Sequence, residues 1–408
     1  MAENDAGREV AGKMTKIHVI GAGLAGLSAA CALTEAGHEV VLSEASGQAG
    51  GRARSYFDKQ LGCRIDNGNH LLLSGNHAAF RYLRRIGAED SMTGPKAPIF
   101  PFKDLKTGQS WVLRLSRGRL PVWIARPSRR VPGTKLVDYG ALLKLRKAGV
   151  NDLVTEIIKQ NTALYKNLLE PLTISALNTM PEAASAQPLA AVFAETVERG
   201  GAASQPRWAK TGLSESFVDP ALVWLKTRGA DIRFGTRITA LTPNQPTILA
   251  VPPWAAKELI PELTVPDMFE SICNLHFKTS MPAGNSAFYG LLGGMAEWVF
   301  VRENIVSVTI SAANRYAALD SEQIAAQVWH ELARTFNLTD AIPPYRVLWE
   351  KRATFACTPI QLAKRPGPES PHAHVSLAGD WTNTGLPATI EGAIRSGEAA
   401  AARLCEAL

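Results

Sequence analysis

Three glycines and one carboxylate near the N-terminus carry the first readable chemistry. Gly21, Gly23 and Gly26 spell GxGxxG, and Glu44 stands about 20 residues later. In such a turn the first glycine allows the bend, the second lets a pyrophosphate approach the backbone, and the third lets a helix pack close to a sheet. Leu24 and Ala25 open that helix, and Glu44 is placed to hold ribose hydroxyls. A second constellation closes the chain: GDWTNTGLPATIEGAIRSG, Gly379 to Gly397. Pro387 suits a first helical turn, so the amides of Ala388, Thr389 and Ile390 are expected to point outward with the positive helix end behind them, an attractive place for an anion or an electron-rich carbonyl. Two histidines stand in suggestive contexts: His70 within DNGNHLLLSG, and His276 on the apolar run NLHF. Cys31, Cys63, Cys273, Cys357 and Cys405 are scattered with no CxxC pair, so neither a metal site nor a disulfide framework is expected.

The elements around these residues agree with that chemistry. KIHVI reads as a buried strand, LAGLSAACALTEAG as a helix and VVLSE as the next strand, which together make a dinucleotide-binding βαβ unit. HVSLAG reads as the strand that feeds the closing loop. ITAL, around Ile238, reads as a strand whose backbone could contact the adenine of a dinucleotide, and TILAVPP as the strand that returns to the sheet.

The 408 residues suit two domains, and 46% hydrophobic with 20% charged residues describes a globular chain. MAENDAGREVAGK has no apolar signal core and no apolar run is long enough to span a bilayer, so a cytoplasmic protein is expected. The net charge of +7 is concentrated: Arg114 to Lys147 holds ten Lys or Arg against Asp138 alone, so the rest of the chain sums to −2. Interleaved with Trp111, Trp123, Leu120 and Ile124, that patch suits an anionic membrane surface, so peripheral attachment to the inner membrane is expected. No nucleic-acid motif accompanies it.

The residues after Glu44 separate flavin from nicotinamide. Gly50, Gly51 and Arg52 in GGRARS, then DNGNHLLLSG, resemble the extended flavin-binding motif of the amine oxidase and phytoene desaturase superfamily. Within it, LNTMPEAASAQ, GLSESFVDPALVWL, EKRATFACTP and AGDWTNTGLPATIEGAIRSG are similar to the bacterial hydroxysqualene dehydroxylase branch. The resemblance implies FAD as cofactor, with Arg52 beside it, Asp66 to His70 (Asn67 and Gly68 included) near the isoalloxazine, and Gly379 and Asp380 at the ribityl chain. It also implies reductive removal of an allylic hydroxyl from hydroxysqualene, a C30 isoprenoid, to give squalene for hopanoid synthesis, with an external electron donor. Candidate catalytic residues are then His70, His276, Trp381 as a tunnel wall, and Asn383, which stands where the family's aspartate is expected. Residue physics leaves two alternatives open: an oxidative desaturase of a long isoprenoid, and a non-catalytic membrane-docked flavoprotein.

The expected architecture is α/β: a Rossmann-like FAD domain assembled from 14–95, 206–265 and 346–408, a helical membrane and substrate lobe over 96–205, and a mixed substrate-domain sheet with a helix over 266–345.

Overall fold

The computed structural model describes residues 14–282 and 287–408; residues 1–13, on which the reading about export rests, lie outside them. At its centre the apolar strand Lys16–Ile20 is paired on both sides, in parallel, with Glu39–Ser43 and Thr247–Leu249. Asp231–Arg233 and Val375–Leu377 complete a five-stranded parallel sheet. A strand buried on both faces needs a near-continuous apolar run, which explains why KIHVI lacks clean alternation. Helix Leu24–Glu35 covers the sheet and packs against the C-terminal helix Ile390–Glu406. The two approach so closely that a Cβ on Gly397 would lie 2.1 Å from the Ala25 carbonyl oxygen, and Ser28 Oγ donates to the Ile394 carbonyl at 3.0 Å.

A second sheet of seven strands holds Tyr345–Phe355, Phe269–Lys278, Ile305–Ile310, Trp298–Arg302, Phe288–Leu292, Ile99–Asp104 and Ser110–Arg114, in that spatial order. The helix of the 266–345 segment is Ser321–Phe336, opened by an Asp320 cap that accepts from the Gln323 amide at 2.8 Å. It buries Trp329 against Phe277 of the sheet.

Several expectations change. The segment 96–205 is not all helical, because Ile99–Asp104 and Ser110–Arg114 form a hairpin that extends the second sheet. Tyr345–Phe355 pairs with Phe269–Lys278, so it belongs to the second sheet and not to the flavin-binding one. The ITAL segment is irregular, and half-buried Ile238 packs on the core from a loop. The last helix starts at Ile390, capped by Thr389 Oγ1 accepting from the Gly392 amide at 3.0 Å, so Pro387 precedes the first turn. Within the expected helical lobe the helices are short pieces, Gly140–Leu145, Val154–Ile157 and Tyr165–Leu169, the last continuing into Glu170–Leu177.

Candidate flavin-binding and active site

The glycine turn joins the central strand to its helix with little slack. Gly21 has φ +102, and its amide donates to the Ser43 carbonyl at 2.7 Å. A Cβ on Gly21 would lie 2.4 Å from the Ala250 carbonyl oxygen, and one on Gly26 only 1.8 Å from the Gly21 oxygen. Gly23 is different: a Cβ there would meet nothing within 4 Å. The space beside Gly23, at the start of Leu24–Glu35, is the cradle a pyrophosphate needs. Glu44 directly follows the neighbouring strand, and its carboxylate accepts from the Ala22 amide at 2.8 Å and the Ser46 amide at 2.8 Å. Gly50 pairs with Gly23 across a parallel bridge, so the Gly50–Gly51–Arg52 segment runs directly beside the turn.

Arg52 links this side of the site to the other end of the chain. Its Nη2 donates to Asp380 Oδ1 at 2.6 Å, and its Nη1 donates to the Ala353 carbonyl. The Gly379 amide in turn donates to Ser396 Oγ at 2.8 Å, fastening the loop to the C-terminal helix. At that helix start the amides of Ala388, Thr389, Ile390 and Glu391 have no acceptor among the described residues. The Glu391 carboxylate accepts from the Ala78 and Ala79 amides at 3.0 and 2.8 Å, and from Arg395 at 2.9 Å. The helix therefore offers unsatisfied donors and a positive dipole end, as a flavin C2 carbonyl and N1 require.

One residue that holds this loop gave no signal in the sequence. Arg365 is buried, with Nε donating to the Trp381 carbonyl at 3.3 Å, Nη1 to that of Leu386 at 2.8 Å, and Nη2 to that of Asp380 at 3.2 Å and also to that of Thr382. Its guanidinium sits 4.8 Å from the Phe355 ring centroid. Burial lowers its pKa to about 10, so it remains charged at neutral pH. One side chain thus ties down the loop that carries Asp380.

The segment 66–70 is pinned from below. Asp66 is buried and accepts from Ser55 Oγ at 2.6 Å, the Leu213 amide at 2.9 Å and Arg302 Nη2 at 2.6 Å, so its carboxylate braces the loop against the second sheet. Asn67 Nδ2 donates to Glu350 Oε2 at 3.2 Å. Gly68 lies against Asn274, whose Nδ2 would be 3.2 Å from an added Cβ. His70 is half-buried and has no hydrogen bond among the described residues; burial, against the opposing pull of Asp66, lowers its pKa to about 4.

Three catalytic candidates take other jobs in the structure. His276 is 1% exposed, and both ring nitrogens are used. Nε2–H donates to the Asp66 carbonyl at 3.0 Å, so Nδ1 accepts from Ser307 Oγ at 2.7 Å. That makes it a brace for segment 66–70. Trp381 is 2% exposed, packs in the core and donates Nε1–H to the Val251 carbonyl at 2.9 Å, so it lines no open tunnel. Asn383 is exposed, and its Oδ1 accepts from the Gly385 amide at 3.3 Å, a turn that an aspartate would serve equally. Cys357 is buried, and burial raises its thiol pKa to about 12, which leaves it inert. Arg352 stacks over Trp254 at 4.5 Å.

The His276 site makes stability pH-dependent. Burial lowers its folded pKa to about 4, below the ordinary value of 6.5, so below 6.5 the unfolded chain binds the extra proton first. The stabilisation is complete above about pH 6.5 and shrinks as pH falls toward 4. Thermal unfolding across pH 4–8 is expected to show this slope, to which His70 adds by the same argument, and His276→Asn to make it shallower without abolishing it; an identical slope in the variant would assign it to other groups.

The sequence profile described as flavin containing amine oxidoreductase matches residues 24–405. Hydroxysqualene dehydroxylase of Zymomonas mobilis is 44% identical over 95% of this chain and 98% of its own length, and that of Rhodopseudomonas palustris 44% over 94% and 97%. The chain belongs to the flavin containing amine oxidoreductases, alongside the hydroxysqualene dehydroxylases. Among solved structures, cyclohexylamine oxidase of Brevibacterium oxydans superposes with TM-score 0.72 at 18% identity, covering 96% of this chain and 99% of that one. A putrescine oxidase superposes at 0.69 and 15% identity over 96% and 99%, so the amine oxidase fold extends over nearly the whole chain. As a member of this flavoenzyme family the protein uses FAD, and the open Gly23 cradle and the unsatisfied amides at 388–391 fit that cofactor. Among the described residues no helix is long and apolar enough to cross a membrane.

Proposed function

We propose that the protein removes the allylic hydroxyl of hydroxysqualene reductively, giving squalene and water. The observation that carries this reading is the 44% identity to hydroxysqualene dehydroxylases over almost the full length of both chains. In the balanced reaction the hydroxyl leaves as water after gaining a proton, the C–O pair departs with oxygen, and the allylic carbon receives a hydride. FAD in its reduced state supplies that hydride, and a two-electron donor from outside the chain restores it.

The residues divide the remaining work. The turn at Gly21, Gly23 and Gly26 takes the pyrophosphate, and Glu44 takes the ribose. Arg52 holds Asp380, which would meet the ribityl chain of bound FAD, while the Ala388–Glu391 amides would stabilise negative charge on its ring. Asn67 and Gly68 hold the approach to the ring, with His276 and Asp66 fixing that segment from beneath. His70 is neutral at pH 7, so its ring N–H hydrogen-bonds to and orients the departing hydroxyl, while the proton that leaves with the oxygen as water is drawn from solvent. Reduced holoprotein is expected to convert hydroxysqualene to squalene, and His70→Asn to lower kcat by about a hundredfold with FAD content unchanged. A His70→Asn enzyme with undiminished kcat would remove His70 from the chemistry.

A further inference from the structure

Arg114 to Lys147 folds into a lobe whose surface is charged and apolar at once. Leu120, Val122, Leu136, Val137 and Leu143 are 75%, 59%, 57%, 77% and 64% exposed, a concentration of large apolar side chains that a water-facing surface does not favour. The aromatic residues are placed in the opposite way: Trp123 and Tyr139 are buried and meet edge to face at 5.4 Å. That contact, the Val131 amide donating to Tyr139 Oη at 2.9 Å, and Arg130 Nε donating to the Ile124 carbonyl at 2.6 Å hold the two exposed segments side by side. Around them Arg117, Arg119, Arg126, Lys135, Lys144 and Lys147 are exposed and enter no ion pair among the described residues. The one acidic side chain, Asp138, is spent on the Lys135 amide at 2.7 Å.

We propose that this face docks the protein on an anionic lipid surface, with Leu120, Val122, Leu136, Val137 and Leu143 entering the interface and the unpaired cations meeting lipid headgroups. A nucleic acid would use the cations but leave the aliphatic side chains in water, and the rings of Trp123 and Tyr139 are buried out of its reach. The buried side of the lobe, Trp123, Tyr139 and Leu145, belongs to the same continuous apolar core as Phe355 and Trp381 beside the cofactor loop. The docking face therefore caps the same packed apolar core that reaches the cofactor loop. Docking itself does not depend on which isoprenoid is the substrate.

Flotation of the FAD-loaded protein with vesicles of phosphatidylcholine alone, or with a third of phosphatidylglycerol, tests this. Binding is expected on the mixed vesicles, about tenfold or more weaker on the neutral ones, and weaker again in high salt. Two variant sets separate the components: Leu120→Ser with Leu136→Ser and Val137→Ser, and Arg119→Glu with Arg126→Glu and Lys144→Glu. Each set is expected to lose about tenfold or more in vesicle binding while flavin absorbance per chain is unchanged. Absence of binding to the mixed vesicles, binding unaltered in both sets, or a tighter grip on single-stranded RNA than on the vesicles would overturn the proposal.

Discussion

Arg365→Met lowers the stability of the holoprotein by about 3–5 kcal/mol, because each buried carbonyl left without a donor costs about 1–3 kcal/mol before the loop relaxes. The loss has a definite origin: the carbonyls of Asp380, Trp381, Thr382 and Leu386 all lose the donor they share, inside a packed core where water cannot replace it. Methionine refills part of the volume against Phe355 but offers no N–H. Because those carbonyls belong to the loop that carries Asp380, the midpoint of flavin release on heating is expected to fall together with FAD occupancy. Arg365→Lys keeps the charge but lacks the planar fork of donors, so it should fall between the two. A methionine variant with wild-type flavin retention would show that the loop holds its shape without the clamp.

The second large effect separates two glycines three residues apart. In Gly26→Ala the new methyl carbon would sit 1.8 Å from the Gly21 carbonyl oxygen. That oxygen cannot retreat easily, because Gly21 is hydrogen-bonded to Ser43 and abuts Ala250. The helix must therefore shift away from the sheet, costing about 1–3 kcal/mol in fold stability as well as the cofactor. In Gly23→Ala the methyl meets nothing in the protein, and Gly23 has φ −71, which alanine adopts freely. The apoprotein should then unfold at the wild-type temperature while FAD affinity falls by about tenfold or more, because the methyl occupies the cradle. Equal losses of apoprotein stability in both variants would contradict this division of roles.

Contacts that lie close in sequence were readable in advance. The Gly21, Gly23, Gly26 and Glu44 set sits on one βαβ unit, where strand, turn and helix impose a spacing that a linear pattern preserves. The dependence of the site on distant partners was not readable. Arg52 and Asp380 are 328 positions apart, and nothing in GGRARS announces its partner. Arg365 looks like a surface cation in the run KRPG, because a guanidinium bonded only to backbone carbonyls needs no acidic neighbour in sequence. His276 was legible as an unusual polar residue on an apolar strand; that its ring nitrogens serve Asp66 and Ser307 depends on how segment 66–70 meets the second sheet. The basic run was legible too, but not its anchors, since hydropathy cannot tell that Trp123 turns inward while Leu120 and Val137 turn outward.

The direction of hydride flow is the claim on which the functional account rests. Holoprotein photoreduced without oxygen and mixed with one equivalent of hydroxysqualene is expected to recover its oxidised flavin absorbance as one equivalent of squalene forms. Flavin that stays reduced with hydroxysqualene, while oxidised holoprotein is bleached by a more saturated polyene and desaturates it, would contradict the account.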